Sequence, residues 1–321
     1  MLAQRAGESR LRVPAFAAVY LLWGCSYLAI RFVVQVVPPF LAAGFRYSLS
    51  SAILLAWSFL AIKNPAPSRR QLLNCGVTGV VMFVFGYSAV YWAETRLASW
   101  LVAVLSSTGF LWTTLLEPPM LGTQRPRVAT IVPLAGGLFG MFLLVTSPFG
   151  VANPGSGVAA VIVVASVVAW SGMTILLKKI DLPTSYVQAA GLQLAAAGSA
   201  LLILSFALGE WHRLPAWDRL LQPGPILGMA YLVVGGSVIA FTAFHWLVAH
   251  ESPSTVSSTT YVNPIVAMGA GILLFHERYS GRQLVGGAVV VLSVALVWRS
   301  KAAARRSSSV SLLTEKAASR G

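Results

Sequence analysis

Three ionisable residues lie within stretches of the sequence that are otherwise apolar: Arg46, Glu117 and His245. A guanidinium binds carboxylates and other anions, and a carboxylate or an imidazole can exchange a proton. An ionised side chain in an apolar medium costs a few kcal/mol unless it meets water, a partner or a ligand, so each is a candidate functional residue. Arg46 is predicted to meet a substrate carboxylate or a gating partner, and Glu117 and His245 are the candidates for proton coupling.

Each of these residues also has a purely structural interpretation. Arg46 can extend to the nearby interface or hydrogen-bond to carbonyl groups inside a helix bundle. Glu117 comes directly before Pro118 and can meet water at the level of lipid headgroups. His245 can be a neutral, hydrogen-bonded packing residue. The sequence alone leaves both interpretations open.

Polar and aromatic side chains at helical spacing extend the candidate binding set. Tyr87 and Tyr91 are four residues apart, as are Thr108 and Trp112, so each pair shares one face of a helix. Later in the chain a hydroxyl-rich run ends at an Asn-Pro pair, where the proline leaves a backbone carbonyl available to a ligand. The predicted substrate-binding residues are Arg46, Tyr87, Tyr91, Thr108, Trp112, Gln193, His245, Ser258, Tyr261 and Asn263.

Neither a cofactor nor a metal site is predicted. The four histidines and two cysteines do not have the spacing of metal ligands, and Cys25 and Cys75 lie in apolar stretches, which argues against a disulfide. A Walker motif is absent from the sequence, so ATP is not the expected energy source. Ionisable groups at membrane depth are scattered rather than clustered. The chain is therefore predicted not to be an enzyme, and a membrane-embedded enzyme remains the weaker alternative.

The candidate residues are carried by apolar stretches of helix length. Hydrophobic residues make up 57% of the 321 residues and charged residues only 10%, too little charge to cover a soluble domain. A helix needs about 20 apolar residues to cross a hydrocarbon layer about 30 Å thick. The stretches lack the alternation of apolar and polar residues that is typical of β-barrels. The predicted fold is an all-α membrane protein whose ten transmembrane helices span 14–34, 39–62, 72–93, 97–119, 127–147, 156–177, 186–208, 224–249, 253–276 and 281–299.

The basic residues are distributed unevenly between the two sides that ten helices define. Of the 23 lysines and arginines, 16 fall on the side of the termini and 6 on the other, with Arg46 inside a helix. The positive-inside rule then places both termini in the cytoplasm. The net charge of +14 lies in linkers and ends rather than on one face of a domain, so nucleic acid is not a predicted partner.

The two halves of the chain resemble each other. Trp23, one of the aromatic residues on inner-looking stretches, corresponds to Trp170 at an offset of 147, and the same offset places Arg46 over Gln193. Five helices per half is an odd number, so the second half must enter the membrane from the opposite side. An inverted repeat of this kind is the recurrent architecture of secondary transporters.

Several short motifs occur in a characteristic order along both halves. The first half contains Trp23-Gly24-Cys25-Ser26, Pro38-Pro39 and Gly44-Phe45-Arg46-Tyr47, and the second half contains Tyr261-Val262-Asn263-Pro264, His276-Glu277-Arg278 and Gly286-Gly287. This order resembles the EamA-like transporters of the drug/metabolite transporter superfamily, of the ten-helix, two-domain type. The resemblance implies a central substrate cavity, cytoplasmic termini and alternating access, commonly in a metabolite exporter.

These observations predict a secondary transporter, an exporter of small organic metabolites such as amino acids, in the cytoplasmic membrane. Its partners are the small-molecule substrate and the lipid bilayer, with the oligomeric state left open. A channel-like facilitator is the alternative. The predicted organisation is a cytoplasmic N-terminus (1–13), a first repeat (14–147), a second repeat (156–299) and a disordered basic tail (300–321).

Overall fold

A computed structural model describes the chain at residues 2–123, 128–145, 156–275, 280–282, 284–293, 295–296 and 299–300. The regular secondary structure of these residues is helical, with no strand among them. In chain order the long helices are α1 (Leu2–Val34), α2 (Pro39–Ala61), α3 (Arg69–Glu94), α4 (Ser99–Ser107 and Gly109–Leu121), α5 (Val128–Val145), α6 (Ser156–Leu176), α7 (Tyr186–Ala207), α8 (Pro223–His250), α9 (Pro253–Ser257 and Thr259–Phe275) and α10 (Leu284–Ser293).

Seven of these helices, α1 to α4 and α6 to α8, are long and apolar enough to cross a membrane. Shorter apolar stretches occur in α5 and α10, at Val128–Gly140 and Leu284–Ser293. Many large apolar side chains lie exposed on the outer faces of the bundle, as lipid contact requires. The all-α membrane fold is therefore confirmed, whereas the count of ten crossings stays a prediction. The predicted tail lies outside the described residues except for Ser300.

Local sequence signals account for where several helices begin and end. Ser68 and Gln71 form a reciprocal capping box at the start of α3, and the hydroxyl of Ser252 accepts from the backbone N–H of Thr255 at the start of α9. Pro39 opens α2 at a position where its missing N–H costs nothing. Gly122 ends α4 with a φ of 69°, a left-handed conformation that glycine adopts without strain.

The helices contain interruptions that the apolar pattern does not reveal. α4 is broken at Thr108 and α9 at Ser258, so the predicted continuous helices 97–119 and 253–276 are each two segments. α3 and α8 each contain eight residues of π-helix, Val80–Tyr87 and Leu232–Ile239. π-Helical turns are rare and occur frequently at functional sites. Because these segments occur at corresponding places in the two halves, α3 and α8 are candidate functional helices.

The packing pattern is unchanged when the first five helices are exchanged for the last five. α1 packs on α8 and α9, and correspondingly α6 packs on α3 and α4. The contact of α3 with α7 likewise corresponds to the contact of α8 with α2. Two contacts, α2 with α7 and α4 with α9, are each their own counterpart under this exchange. This regularity is what a pseudo-twofold relation between two halves produces.

The contact between α2 and α7 is made close by glycines. A Cβ at Gly44 would lie 2.9 Å from Leu202, and one at Gly191 would lie 2.9 Å from Leu55. Gly191 follows Gly44 by 147 residues, and Leu202 follows Leu55 by the same number, so the two contacts are equivalent. As the residue number rises along α2 from 44 to 55, its neighbour on α7 falls from 202 to 191. α2 and α7 therefore run antiparallel.

A second close contact joins α5 to α10. A Cβ at Gly140 would lie 2.8 Å from the carbonyl oxygen of Gly286, and one at Gly136 would lie 3.1 Å from the hydroxyl of Ser293. Small residues four apart let two helix backbones approach without lipid between them. The Gly-x-x-x-Gly pattern of α5 thus serves packing within one chain.

Candidate functional site

A small cavity lies at the centre of the bundle, between helices of both halves. Its volume is about 50 Å³, with walls from α1, α3, α4, α6 and α9. Trp23 and Trp170, the corresponding residues of the two halves, meet edge to face with ring centroids 5.9 Å apart. The lining residues are Trp23, Tyr27, Gly86, Tyr87, Val90, Ser106, Gly109, Ser166, Val167, Trp170, Ser171, Ser257, Thr260 and Asn263.

The cavity wall combines aromatic rings with small polar groups. Most of the hydroxyls are already engaged: Ser171 donates to the carbonyl of Gly109 at 3.1 Å, and Thr260 donates to the carbonyls of Ser107 and Ser257. Two lining atoms have no partner among the described residues, Ser106 Oγ and Asn263 Oδ1. The lining contains no ionisable acid or base other than tyrosine.

Arg46 lies behind the aromatic wall rather than in it. Its Nε donates to Ser237 Oγ at 2.9 Å and its Nη1 to the phenol of Tyr91 at 3.1 Å. The guanidinium also faces the rings of Tyr47 and Tyr87, 5.2 and 5.6 Å from their centroids. It is 3% exposed, and within the described part of the chain no carboxylate lies at ion-pair distance. Arg46 is thus a buried positive charge, one aromatic ring away from the cavity.

Gln193 occupies the corresponding place in the second half and makes corresponding contacts. Its amide nitrogen donates to Thr78 Oγ1 at 2.9 Å, and its Oε1 accepts from His245 Nε2 at 3.0 Å. Arg46 likewise contacts one residue on α3 and one on α8. His245 is buried beside Phe241. Gln193 and His245, both predicted to bind substrate, therefore contact each other but do not line the cavity.

The remaining predicted residues are divided between the cavity and its surroundings. Tyr87 and Asn263 line the cavity. Thr108 and Ser258 sit at the helix breaks, where each hydroxyl donates to the carbonyl three residues earlier. Tyr261 is buried against Phe110, with ring centroids 5.0 Å apart. Trp112 packs against the core, and its indole N–H has no partner among the described groups.

Glu117 belongs to a polar cluster at the end of the bundle that contains the start of α9. Its carboxylate accepts from the backbone N–H of Ser254 at 3.1 Å, next to the positive end of that helix. Lys179 donates to the carbonyl of Met120 at the end of α4, and Lys178 donates to Ala249 at the end of α8. Burial lowers the pKa of Lys178, although the charges of nearby glutamates oppose the shift. These contacts join α4, α6, α8 and α9.

The position of Glu117 yields a first prediction. The amide of Glu117→Gln can still accept from Ser254, so this variant is expected to keep at least half of the wild-type transport rate. Glu117→Ala removes the acceptor of the Ser254 N–H and is expected to reduce transport severalfold, because a hydrogen bond lost at this contact between α4 and α9 costs about 1 kcal/mol. Flux into proteoliposomes with and without a pH gradient measures both variants. Loss of gradient dependence in Glu117→Gln would show instead that the carboxyl group carries protons.

Several residues of the site are not found by sequence reasoning. Ser106 and Ser166 line the cavity but resemble the many other serines of apolar helices. Ser237 and Thr78, the partners of Arg46 and Gln193, carry no distinctive spacing either. The small-residue run around Ser237, which begins with Gly235 and Gly236, is the one local sign that another group approaches closely there.

Comparisons with known proteins identify the family to which this arrangement belongs. The model of the EamA-like transporter family matches the chain twice, at residues 13–146 and 157–299. The inner membrane transporter YedA of Escherichia coli K12 is 31% identical over 285 residues, 88% of this chain and 89% of that protein. Protein PecM of Dickeya dadantii is 28% identical over 280 residues, 86% of this chain and 88% of its own length.

A crystal structure of a protein 19% identical in sequence matches the fold with a TM-score of 0.68, covering 91% of this chain and 96% of the other. At that identity the likeness concerns the fold alone. The relatives named as transporters, together with the membrane helices and the central cavity, make this chain a membrane transporter. The chain belongs to the EamA-like transporter family of the drug/metabolite transporter superfamily.

Proposed function

We propose that the protein is a secondary transporter that exports small organic metabolites such as amino acids across the cytoplasmic membrane. The observation that carries this proposal is the central cavity, whose walls come from both halves and whose corresponding tryptophans, Trp23 and Trp170, touch each other. The substrate-binding set predicted from the sequence is retained, with Tyr87 and Asn263 in the cavity wall and Arg46 behind it.

The proposed mechanism is alternating access between two inverted repeats of five helices. Its support is the antiparallel course of α2 and α7, with Gly44 on Leu202 and Gly191 on Leu55, together with the two matches to one family model. Two similar halves of opposite orientation can exchange conformations, and this exchange turns a cavity from one side of the membrane to the other. We place both termini in the cytoplasm on the distribution of the basic residues.

The size of the cavity supports a conformational step in transport. Sites for small organic ligands have volumes of about 300 Å³ or more, so a cavity of about 50 Å³ must widen several times to admit a substrate. The contacts between α4 and α9, among them Thr113 Oγ1 with Ser257 Oγ at 2.9 Å, close it on the side of Glu117. Separation of these helices opens the proposed path toward the cytoplasm. The π-helical segments of α3 and α8 are the proposed points of bending.

The transport proposal predicts saturable counterflow. Proteoliposomes preloaded with an unlabelled substrate are expected to accumulate the labelled solute above its equilibrium level, because a carrier exposes its site to one side at a time. Candidate substrates come from a thermal-shift screen of a metabolite library. A flux that rises linearly with concentration and shows no counterflow would indicate the channel-like alternative. Chemical conversion of the solute would indicate an enzyme.

A further inference from the structure

A buried carboxyl group lies at the end of α3, outside the contacts described so far. Glu94 is 5% exposed, and its Oε2 accepts from the hydroxyl of Ser99, at the start of α4, at 2.7 Å. Its Oε1 has no hydrogen-bond partner among the groups that the structure describes, and no lysine or arginine of that part of the chain lies at ion-pair distance. An ionised carboxylate in such a place is costly, because neither a counter-charge nor a second donor replaces its lost water.

Glu94 lies on the face of α3 that borders the cavity. Val90 lines the cavity, and Glu94 follows it by four residues in the regular α-helical part of α3. Residues four apart share a helix face and are about 6 Å apart along the axis. On α4, Ser99 precedes the cavity residue Ser106 by seven residues, two turns of the same helix. The pair of Glu94 and Ser99 therefore lies just beyond the cavity, at the end of the bundle opposite to Glu117.

The helices around Glu94 bring few titratable groups to it. The last turns of α3 pack on α1, α2, α4 and α6. Helix α6 has no titratable side chain, and that of α4, Glu117, lies at the far end. The charge of Arg31, an exposed residue of α1, acts on Glu94 from a distance. The titratable or charged groups nearby are Tyr27 and Arg31 of α1, Arg46 and Tyr47 of α2, Tyr87 and Tyr91 of α3, and Arg96 just after α3. Arginine and tyrosine keep their protons at neutral pH, so Glu94 is the group among these helix ends that can exchange one.

We propose that Glu94 is the proton-exchange residue of this transporter. The closed conformation forms when Oε1 holds a proton or accepts from an N–H or O–H group of the substrate, and an ionised Glu94 with neither keeps the bundle open. One proton then enters for each solute molecule that leaves. This inference rests on the proposed transport function and adds the coupling ion and the residue that binds it.

The proton follows the same alternation as the solute. When the bundle opens at the end of Glu94, external water gives a proton to Oε1, an O–H bond forms, and the neutral carboxyl group lets that end close. When the cavity opens toward the cytoplasm, water within it comes to about one helical turn from Glu94 and takes the proton away. The carboxylate that remains accepts from a donor group of the arriving substrate. Only a proton changes place, so no further reactant is needed.

Proteoliposomes that are acidic inside test this exchange with the solutes that show counterflow. Protons leaving through the wild-type protein should drive the labelled solute inward, up to about tenfold above its outside concentration for one pH unit, with the membrane potential held at zero by a potassium ionophore. Glu94→Gln keeps an acceptor for Ser99 but has no proton to exchange. Its accumulation should therefore fall to the equilibrium level while counterflow remains.

Glu210→Gln is the matched control at the same end of the bundle. Glu210 is 4% exposed, but both of its oxygens accept from backbone N–H groups, those of Phe40 at 3.4 Å and Leu41 at 2.7 Å. This variant is expected to accumulate the solute as the wild type does. Ser99→Ala removes the hydrogen bond to Glu94 but not the carboxyl group, and should keep at least half of the accumulation. Unchanged accumulation in Glu94→Gln, or an equal loss in Ser99→Ala, would show that Glu94 only joins α3 to α4 and would overturn the proposal.

A pH-sensitive dye trapped in weakly buffered liposomes counts the protons directly and requires no variant. One proton is expected to leave for each solute molecule that the wild-type protein takes up. Counterflow without proton movement means that the inference is wrong and transport stands, even where Glu94→Gln is not recovered as folded protein. If no solute shows counterflow in liposomes that contain folded protein, the proposed function fails, and the inference fails with it.

Discussion

Replacing Arg46 by alanine is expected to lower transport at least tenfold while the amount of protein in the membrane stays unchanged. The guanidinium of Arg46 is buried 5.6 Å from the ring centroid of the cavity residue Tyr87, and it orients Tyr91 and Ser237 by hydrogen bonds. Without it the field that attracts a carboxylate disappears and both hydroxyls lose a partner. A tenfold loss corresponds to about 1.4 kcal/mol, modest for a buried charge-assisted hydrogen bond.

The design of this test includes two further arginine variants. Arg46→Lys keeps the charge but cannot hold Tyr91 and Ser237 at once, so an intermediate rate is expected. Arg96→Ala is the matched control, because Arg96 is exposed and stacks on Trp92, with its guanidinium carbon 3.9 Å from the ring centroid. Rates are measured in proteoliposomes at equal protein content. Wild-type flux in Arg46→Ala would exclude any role of this residue in transport.

Gly79→Ala is expected to destabilise the protein by at least about 3 kcal/mol, the upper end of the usual cost of overpacking. A Cβ at this position would lie 2.2 Å from the backbone carbonyl oxygen of Gln193. Since the obstacle is backbone, no side-chain rotation relieves it, and α3 must move away from α7. This movement also separates Gln193 from Thr78, its hydrogen-bond partner on α3. The expected result is a lower melting temperature in detergent and less protein recovered as a single species.

Gly76→Ala provides the control on the same helix, three residues earlier. Nothing lies within 4 Å of a Cβ built on Gly76, and alanine is favoured over glycine in a helix by up to about 1 kcal/mol. Its melting temperature should therefore equal or exceed that of the wild type. Equal stability of the two variants, measured by tryptophan fluorescence on heating, would contradict the close contact between α3 and α7.

The membrane fold was predictable because the bilayer imposes helix length and apolar composition, and these are read directly from the sequence. The family was predictable because short motifs recur in order in both halves. The interruptions were not: the π-helices of α3 and α8 and the breaks at Thr108 and Ser258 leave no mark in the apolar pattern of the sequence. An apolar run has the same appearance whether its backbone is regular or not.

The site was predictable only where a residue is unusual for its surroundings. Arg46 and Gln193 stand out from apolar neighbours, and each contacts one residue on α3 and one on α8. Ser106 does not stand out, because serine is common in helices of this kind. Which of several tyrosines and serines face one cavity depends on helix rotation, which the sequence does not determine.

The antiparallel contact of α2 with α7 has a consequence for the ancestry of the chain. Because Gly44 meets Leu202 as Gly191 meets Leu55, a half-length polypeptide could place the same glycine and leucine against a second copy of itself inserted upside down. Such a homodimer would have to bury two arginines or two glutamines where Arg46 and Gln193 now lie. Fusion into one gene allows a single central cation, which two identical subunits cannot provide.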